Sequence, residues 1–187
     1  MKKSPCFDRL LAYAAYDCAQ RGKRLVNSDH LLLGLYREDF PLVDEVMCSL
    51  DVDAFYALGR LLKFNPESER PYDIRNVRFG NEAMEILTLA NMEVRRFQHE
   101  AITAAHVFMA LLSFNNSFLF RFLTERKVEP QKARAMISAI RFDGDMPLET
   151  VELKRDKETY LSINFLDVGG FFPEDLGVTT LKLIKKL

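Results

Sequence analysis

The 187-residue chain has only three cysteines, Cys6, Cys18 and Cys48, and none of them forms a CxxC pair. An odd number without metal-ligand spacing argues against a disulfide scaffold and against a zinc site. The net charge is −1, so no broad basic field is present to attract nucleic acid or an anionic membrane. We therefore expect a reduced, cytoplasmic protein that binds neither nucleic acid nor membrane.

Long apolar runs are also missing. No stretch approaches the length of a membrane span, and Asp8 and Asp17 interrupt the apolar residues near the N-terminus. No small-residue cleavage site follows them, which argues against a signal peptide. Hydrophobic residues make up 48% and charged residues 28% of the chain. This composition is typical of a globular protein with a hydrophobic core.

The sequence repeats itself at an offset of 76 residues, the separation of His30 and His106. With this offset Ser4–Phe64 aligns with Gly80–Ile140 without a gap, and most positions keep their identity or character. Identical pairs include Leu35 with Leu111, Val52 with Val128 and Ala57 with Ala133. Self-similarity at a fixed period is typical of duplicated structural units, so we interpret the chain as a tandem duplication.

Within each copy, capping residues and apolar residues at helical spacing predict four helices. Gly22 is a candidate C-cap of the first helix, and chain breaks are expected at residues 39–41 and 115–116. The predicted helix starts are Ser4-Pro5, Asn27 or Ser28, and Asp51 or Asp53 in copy one, and Gly80 or Asn81, Thr103 and Pro130 in copy two.

These patterns predict a mainly α fold of two tandem four-helix repeats related by pseudo-twofold symmetry. The double-repeat domain would occupy residues 1–141, with copy one at 3–64, a surface linker at 65–78 and copy two at 79–141. After residue 142 the pattern changes to alternation of apolar and polar residues, which is typical of half-buried strands. We expect residues 142–187 to form a small antiparallel β appendage.

The segment that begins at Val26 and contains Asp29, His30 and Leu31 resembles the repeat signature of the N-terminal domain of Clp-type ATP-driven unfoldases, as in ClpA and ClpC. In the second copy, Ile102 to His106 is similar to the same signature. The resemblance covers residues 3–141. It implies an all-α pseudo-twofold domain that recruits substrates or adaptor proteins to a Clp ATPase and its protease partner.

The chain departs from Clp unfoldases in one decisive way, because no Gly-x-x-x-x-Gly-Lys-Ser/Thr loop occurs in it. Without that loop it cannot bind a triphosphate in the P-loop manner. We therefore expect a non-enzymatic adaptor or regulator without a cofactor, whose partner is a Clp ATPase, an adaptor or a substrate protein. The alternative is a stand-alone module that binds a peptide or phosphoarginine independently of any protease.

Catalysis has no support in the sequence. His30 and His106 occupy matching positions at the starts of helices, where a histidine usually packs and caps. Neither has a carboxylate or a second histidine one turn away, as a zinc protease site would require. No Ser-His-Asp or Cys-His set can be argued from spacing. We expect both histidines to be structural, with no catalytic and no metal-binding residues.

Two residues are candidates for ligand binding. Some ClpC-type domains bind phosphorylated arginine through a threonine that opens the first helix and a glutamate before the signature histidine. Copy one has Ser4 and Asp29 at these places, whereas copy two has Gly80 and Ala105. The resemblance therefore implies a phosphoarginine site at Ser4 and Asp29 only, although both residues are also ordinary helix caps.

Phe114 and Phe120 stand out in the comparison of the copies. Their equivalents in copy one are Glu38 and Asp44, and acidic residues at these positions suggest a solvent-exposed face. Aromatic side chains on such a face need a cover. We expect Phe114 and Phe120 to be covered by the C-terminal strands or to contact a partner protein.

Overall fold

The computed structural model describes residues 2–142, so the predicted β appendage lies almost entirely outside the described residues and stays a prediction. The described residues form eight α-helices and one short 3₁₀ helix, Ile74–Asn76. The α-helices are α1 (Pro5–Gln20), α2 (Ser28–Glu38), α3 (Phe40–Cys48), α4 (Ala54–Phe64), α5 (Asn81–Arg96), α6 (Ala104–Ser113), α7 (Phe118–Glu125) and α8 (Pro130–Arg141). The mainly α fold with four helices in each copy is confirmed.

The helices of copy one begin at side chains that accept a hydrogen bond from the first turn. The Ser4 hydroxyl accepts from the Phe7 amide at 3.3 Å, and the Asn27 side chain accepts from the His30 amide at 3.2 Å. Asp53 caps α4, whereas Asp51 has a φ of 56° and lies in the turn before it. Each cap satisfies an amide that has no partner within its helix.

The backbone repeats with the predicted offset of 76 residues. Helices α1 and α5 begin and end at equivalent residues. The four residues with positive φ also form two equivalent pairs, Gly22 with Gln98 and Asp51 with Lys127. Positive φ is sterically disfavoured in residues other than glycine. Its repetition at equivalent positions shows that the connections between helices are duplicated together with the helices.

Four two-residue strands, which the sequence did not predict, join the two copies: β1 (Lys2–Lys3), β2 (Leu25–Val26), β3 (Arg78–Phe79) and β4 (Ala101–Ile102). Strand β1 pairs in parallel with β4, and β2 pairs in parallel with β3. Lys2 lies opposite Ala101, and Leu25 lies opposite Arg78. Under the 76-residue offset each pairing becomes the other, which is the signature of an isologous, twofold contact. The pseudo-twofold symmetry is confirmed.

The core is centred on α2 and α6, which contact each other and pack against α1 and α5 respectively. Every residue of α6 from Ala104 to Leu112 is buried. A helix that is apolar on all sides has to lie inside the protein. Helices α5, α7 and α8 pack around α6.

The predicted linker is attached to the end of α1. The amides of Ser68 and Tyr72 donate to the carbonyls of Gln20 and Ala19 at 2.9 and 2.7 Å. The Arg24 guanidinium lies 4.8 Å from the centre of the Tyr72 ring. These contacts lead the chain from copy one into β3, where copy two begins.

None of the helices within residues 2–142 is both long and apolar enough to span a membrane by itself; α6 and α7 meet the length and composition criterion only when taken together as a pair bent by 59°.

Gly34 allows α1 and α2 to approach closely, and we predict that Gly34→Ala destabilises the protein. A Cβ atom at Gly34 would lie 2.5 Å from the Leu10 carbonyl oxygen and 3.0 Å from the Ala14 amide nitrogen. Backbone atoms cannot move aside as a flexible side chain can, so urea denaturation should show a loss of about 1–3 kcal/mol. The matched control is Gly59→Ala, where a Cβ meets nothing within 4 Å. That variant should gain about 0.5–1 kcal/mol, and equal effects in both would contradict the prediction.

Candidate functional site

Both signature histidines cap the start of a helix, as predicted. The Nδ1 atom of His30 accepts from the Asn27 amide at 3.2 Å, and the Nδ1 atom of His106 accepts from the Thr103 amide at 3.1 Å. Both imidazoles are buried at the first turn of a helix, so each histidine closes the helix start in the manner of a capping box. A ring whose Nδ1 accepts carries its proton on Nε2 when it is neutral.

The surroundings of the two imidazoles keep them neutral. Burial and, to a smaller extent, the nearby Arg21 charge lower the pKa of His30 to about 4. Burial and the neighbouring His99 lower the pKa of His106 to about 4. His106 Nε2 donates to His99 Nδ1 at 2.9 Å, and the Phe142 ring lies 4.9 Å from His106. The equivalent of His99 in copy one is Lys23, so the two copies surround their histidines differently.

Buried carboxylates pair with arginines in both copies. Asp17 receives hydrogen bonds from Arg21 at 2.9 Å and from Arg37 at 2.8 Å. Its equivalent Glu93 receives one from Arg134 at 2.7 Å. Such pairs would be costly to break, because the remaining charge would be buried alone. These ion pairs give the buried carboxylates and arginines a structural role.

The described part of the chain contains no group of metal-binding side chains, and its buried cysteine has a raised pKa. Across residues 2–142 no three His, Cys, Asp or Glu side chains form a group that could hold a metal ion. Burial raises the pKa of the Cys18 thiol to about 11, so this thiol is unreactive at neutral pH.

Ser4 and Asp29, the candidate phosphoarginine residues, both have partners within the domain. The Ser4 hydroxyl caps α1 and lies 2.9 Å from the Cys6 sulfur. The Asp29 carboxylate is partly buried and accepts from the Asn65 amide group at 3.0 Å, and burial raises its pKa. These hydrogen bonds account for both side chains without a ligand, and the phosphoarginine site stays a prediction.

The structure corrects one premise of the comparison between the copies, the exposure of Glu38. Glu38 was expected in solvent, but its side chain is only 4% exposed and accepts two hydrogen bonds from Arg9 Nε at 3.0 and 2.9 Å. The equivalent Phe114 ends α6 and is half-buried. This position is therefore partly covered within the domain in both copies, and a contact of Phe114 with the C-terminal strands or a partner stays a prediction.

Phe120 is different because it lines an open depression of about 290 Å³ on α7. The other lining residues are Asn115, Arg121, Thr124 and Glu125. The structure does not bring Phe114 into this depression. Phe120 therefore remains a candidate contact for a partner or for the C-terminal residues, as the comparison of the copies predicted.

A larger aromatic surface lies where α4 meets α7, and sequence reasoning missed it. Its six residues, here named the aromatic–arginine stripe, are Tyr56, Arg60 and Phe64 of α4 and Phe118, Phe122 and Arg126 at α7. The residues follow one another at intervals of four on both helices, so each set shares one helical face. The only indication of it in the sequence was that Tyr56 and Phe64 lie outside the apolar face of α4.

The two helices run antiparallel along the stripe. The Tyr56 ring lies 6.3 Å from the Phe122 ring, and the Phe64 ring lies 6.4 Å from the Phe118 ring. Phe118 and Phe122 are buried. Tyr56 and Phe64, in contrast, are 50% and 64% exposed. Each exposed ring thus lies beside a buried one, and exposed apolar surface of this kind can mark an interaction site.

The fold is that of the N-terminal domains of Clp and Hsp104 proteins. The Hsp104 N-terminal domain from Candida albicans superposes with a TM-score of 0.64 and 14% identity, covering 77% of this chain and 94% of that one. The N-terminal domain of the Clp-protease-associated chaperone ClpD from Arabidopsis thaliana gives a TM-score of 0.60 and 17% identity, covering 76% of this chain and 96% of that one. The resemblance noted in the sequence is thereby confirmed for the fold.

Comparison of the sequence with curated proteins also finds Clp proteins. The ATP-binding subunit ClpC of the ATP-dependent Clp protease from Staphylococcus epidermidis is 19% identical over 151 residues, which is 81% of this chain and 18% of the relative. The chaperone ClpB from Oceanobacillus iheyensis is 21% identical over 129 residues, which is 69% of this chain and 16% of the relative. The chain thus spans less than a fifth of the length of these relatives. No protein-family profile matches it.

The buried histidines predict a loss of stability in acid. Their folded-state pKa values of about 4 lie below the ordinary value of 6.5, so the unfolded chain binds more protons between these pH values. Stability is therefore present above pH 6.5 and falls as the pH drops towards 4, by roughly 2–3 kcal/mol for each histidine. The change is measured by urea denaturation at pH 7, 6, 5 and 4.

The matched variant is the double substitution His30→Gln and His106→Gln. Glutamine at this position can still accept from the capping residue's amide, but it does not titrate. The decline in the free energy of unfolding between pH 6.5 and 4 should be shallower in this variant. An identical decline would show that other groups are responsible.

Proposed function

We propose that this chain is a non-enzymatic protein-interaction module that recruits substrates or adaptor proteins to a Clp-type unfoldase in the cytoplasm. The support is the fold, which it shares with N-terminal domains of Hsp104 and ClpD. In this proposal residues 1–141 form the interaction domain and residues 142–187 a β-rich extension. The P-loop motif is missing from the chain, so the ATP-driven work would belong to the partner.

The observation that carries the proposal is the exposure of the aromatic–arginine stripe. Tyr56 and Phe64 lie about two turns apart on one face of α4 and, at 50% and 64%, are the most exposed aromatic side chains of the described residues. Tyrosine and arginine are also the residues that most often dominate the binding energy of protein interfaces. A partner that covered the stripe would remove this apolar area from water, which supplies a driving force for association.

The proposal predicts which proteins the full chain captures in its native host. A tagged full-length chain should enrich a Clp component or a proteolytic adaptor, as judged by quantitative mass spectrometry. The double substitution Tyr56→Ala and Phe64→Ala should reduce that enrichment about tenfold, because truncation of central aromatic contacts commonly costs an interface this much or more. Since both rings are largely exposed, the variant should stay folded, which circular dichroism checks.

The control substitutes Met84→Ala and Met92→Ala, two exposed apolar side chains on α5 away from the stripe. This variant should capture the same proteins as the unmodified chain. Capture without any Clp component or proteolytic adaptor would contradict the proposed role. An equal loss in both variants would show that the stripe is not the contact surface.

A further inference from the structure

The aromatic–arginine stripe lies in a positively charged part of a chain whose net charge is −1. Residues 54–64 and 118–126, which form α4 and α7 with the C-cap of α7, contain one acidic side chain, Glu125. The same residues contain four basic side chains: Arg60, Lys63, Arg121 and Arg126. A surface with such an excess of one sign attracts ligands of the opposite sign.

The two arginines of the stripe differ from the more buried arginines of the domain. Within residues 2–142 neither Arg60 nor Arg126 forms an ion pair with a carboxylate. The arginines that do pair with Asp or Glu carboxylates in the interior are Arg9, Arg21, Arg37, Arg134 and Arg141. The positive charges of the stripe are therefore not neutralised within the described domain.

Aromatic rings hold these two guanidinium groups in place. The Arg126 guanidinium lies 3.7 Å from the centre of the Phe122 ring and 5.1 Å from that of Tyr56. The Arg60 guanidinium lies 5.7 Å from the centre of the Phe64 ring. A cation–π contact orients the guanidinium while leaving N–H donors that match a carboxylate. Less side-chain entropy is then lost when a carboxylate binds.

The symmetry of the fold shows that the stripe is not a requirement of packing. The pseudo-twofold-related positions are Leu42, Val46 and Leu50 on the α3 side and Lys132, Met136 and Ile140 on α8, where no aromatic residue occurs. That side is held together by α3 packed on α8 and by an ion pair between Arg141 and Asp39 at 2.9 Å. On the stripe side the equivalents of this pair are the uncharged Asn65 and Asn115.

We propose that the aromatic–arginine stripe binds an acidic segment of a partner protein, in which apolar side chains lie between the carboxylates. The apolar side chains would cover the exposed rings of Tyr56 and Phe64, and the carboxylates would pair with Arg60 and Arg126. The inference rests on the proposed function, because it names the chemistry of the partner of that same surface. We take the occupant to be an external partner, because the excess of positive charge on the stripe complements a segment that carries carboxylates.

Two fluorescein-labelled peptides of twelve residues test this proposal with the full chain. One repeats Glu-Leu-Glu-Phe three times, and the other has lysine at every glutamate. Fluorescence anisotropy at about 0.1 M salt should show at least tenfold tighter binding of the glutamate peptide. The preference should weaken as salt is added, because exposed charge interactions are screened. Equal affinity for the two peptides, or no binding of the glutamate peptide, would overturn the proposal.

Two pairs of substitutions locate the binding surface. Arg60→Gln with Arg126→Gln should reduce affinity for the glutamate peptide at least tenfold and remove most of its preference over the lysine peptide. The matched control, Arg70→Gln with Arg95→Gln, removes two exposed arginines outside the stripe and should retain the preference and at least half of the affinity. Equal losses in the two double variants would mean that total charge, and not the stripe, attracts the peptide.

The other possible occupants give different results. If the glutamate peptide binds only after Asp143, Asp145, Glu149 and Glu152 are replaced by their amides, the occupant is the chain's own acidic segment and the proposal is wrong. If analytical ultracentrifugation shows a dimer that Arg60→Gln with Arg126→Gln dissociates, the occupant is a second copy, and the proposal is again wrong. The assay contains no Clp component, so its failure is distinguishable from failure of the proposed function.

Discussion

The close packing of α2 and α6 inside the domain is the constraint on which the rest of the structure depends. The α1 backbone reaches Gly34 of α2 so closely that a single added carbon would meet the Leu10 carbonyl, and α6 is buried from Ala104 to Leu112. With these two helices in contact, the paired strands β1–β4 and β2–β3 can form across the symmetry axis. The capping histidines are buried by the same arrangement, which removes their charge.

The two copies have kept their backbone and changed their surfaces. Equivalent residues adopt the left-handed turns and form the strand pairs that cross between the copies. In contrast, the contact between α3 and α8 is aliphatic and closed by an ion pair, whereas the contact between α4 and α7 is built from aromatic and arginine side chains. Duplication thus supplies a symmetric scaffold, and the departures from symmetry show where the side chains of the two copies differ.

Sequence reasoning succeeded where the signals are local. The caps at Ser4 and Asn27 depend on residues within one helical turn, and the structural role of His30 and His106 follows from the same short-range geometry. It was wrong about Glu38, because a charged residue looks exposed unless its partner is known, and Arg9 lies 29 residues away. It also missed the stripe, because Tyr56 and Phe122 are far apart in the chain and meet only in the fold.

The sequence alone determined the duplication, the eight helices and the absence of a P-loop, because periodicity, capping and motif spacing act over a few residues or repeat at a fixed offset. Only the tertiary structure decided which strands, charged groups and aromatic rings lie next to one another. Two-residue strands are too short to show alternation, and their register depends on chain segments that lie 53 and 99 residues apart. The pairing of buried charges and the exposure of aromatic rings likewise depend on which helix faces approach each other, and helix packing sets that over the whole chain.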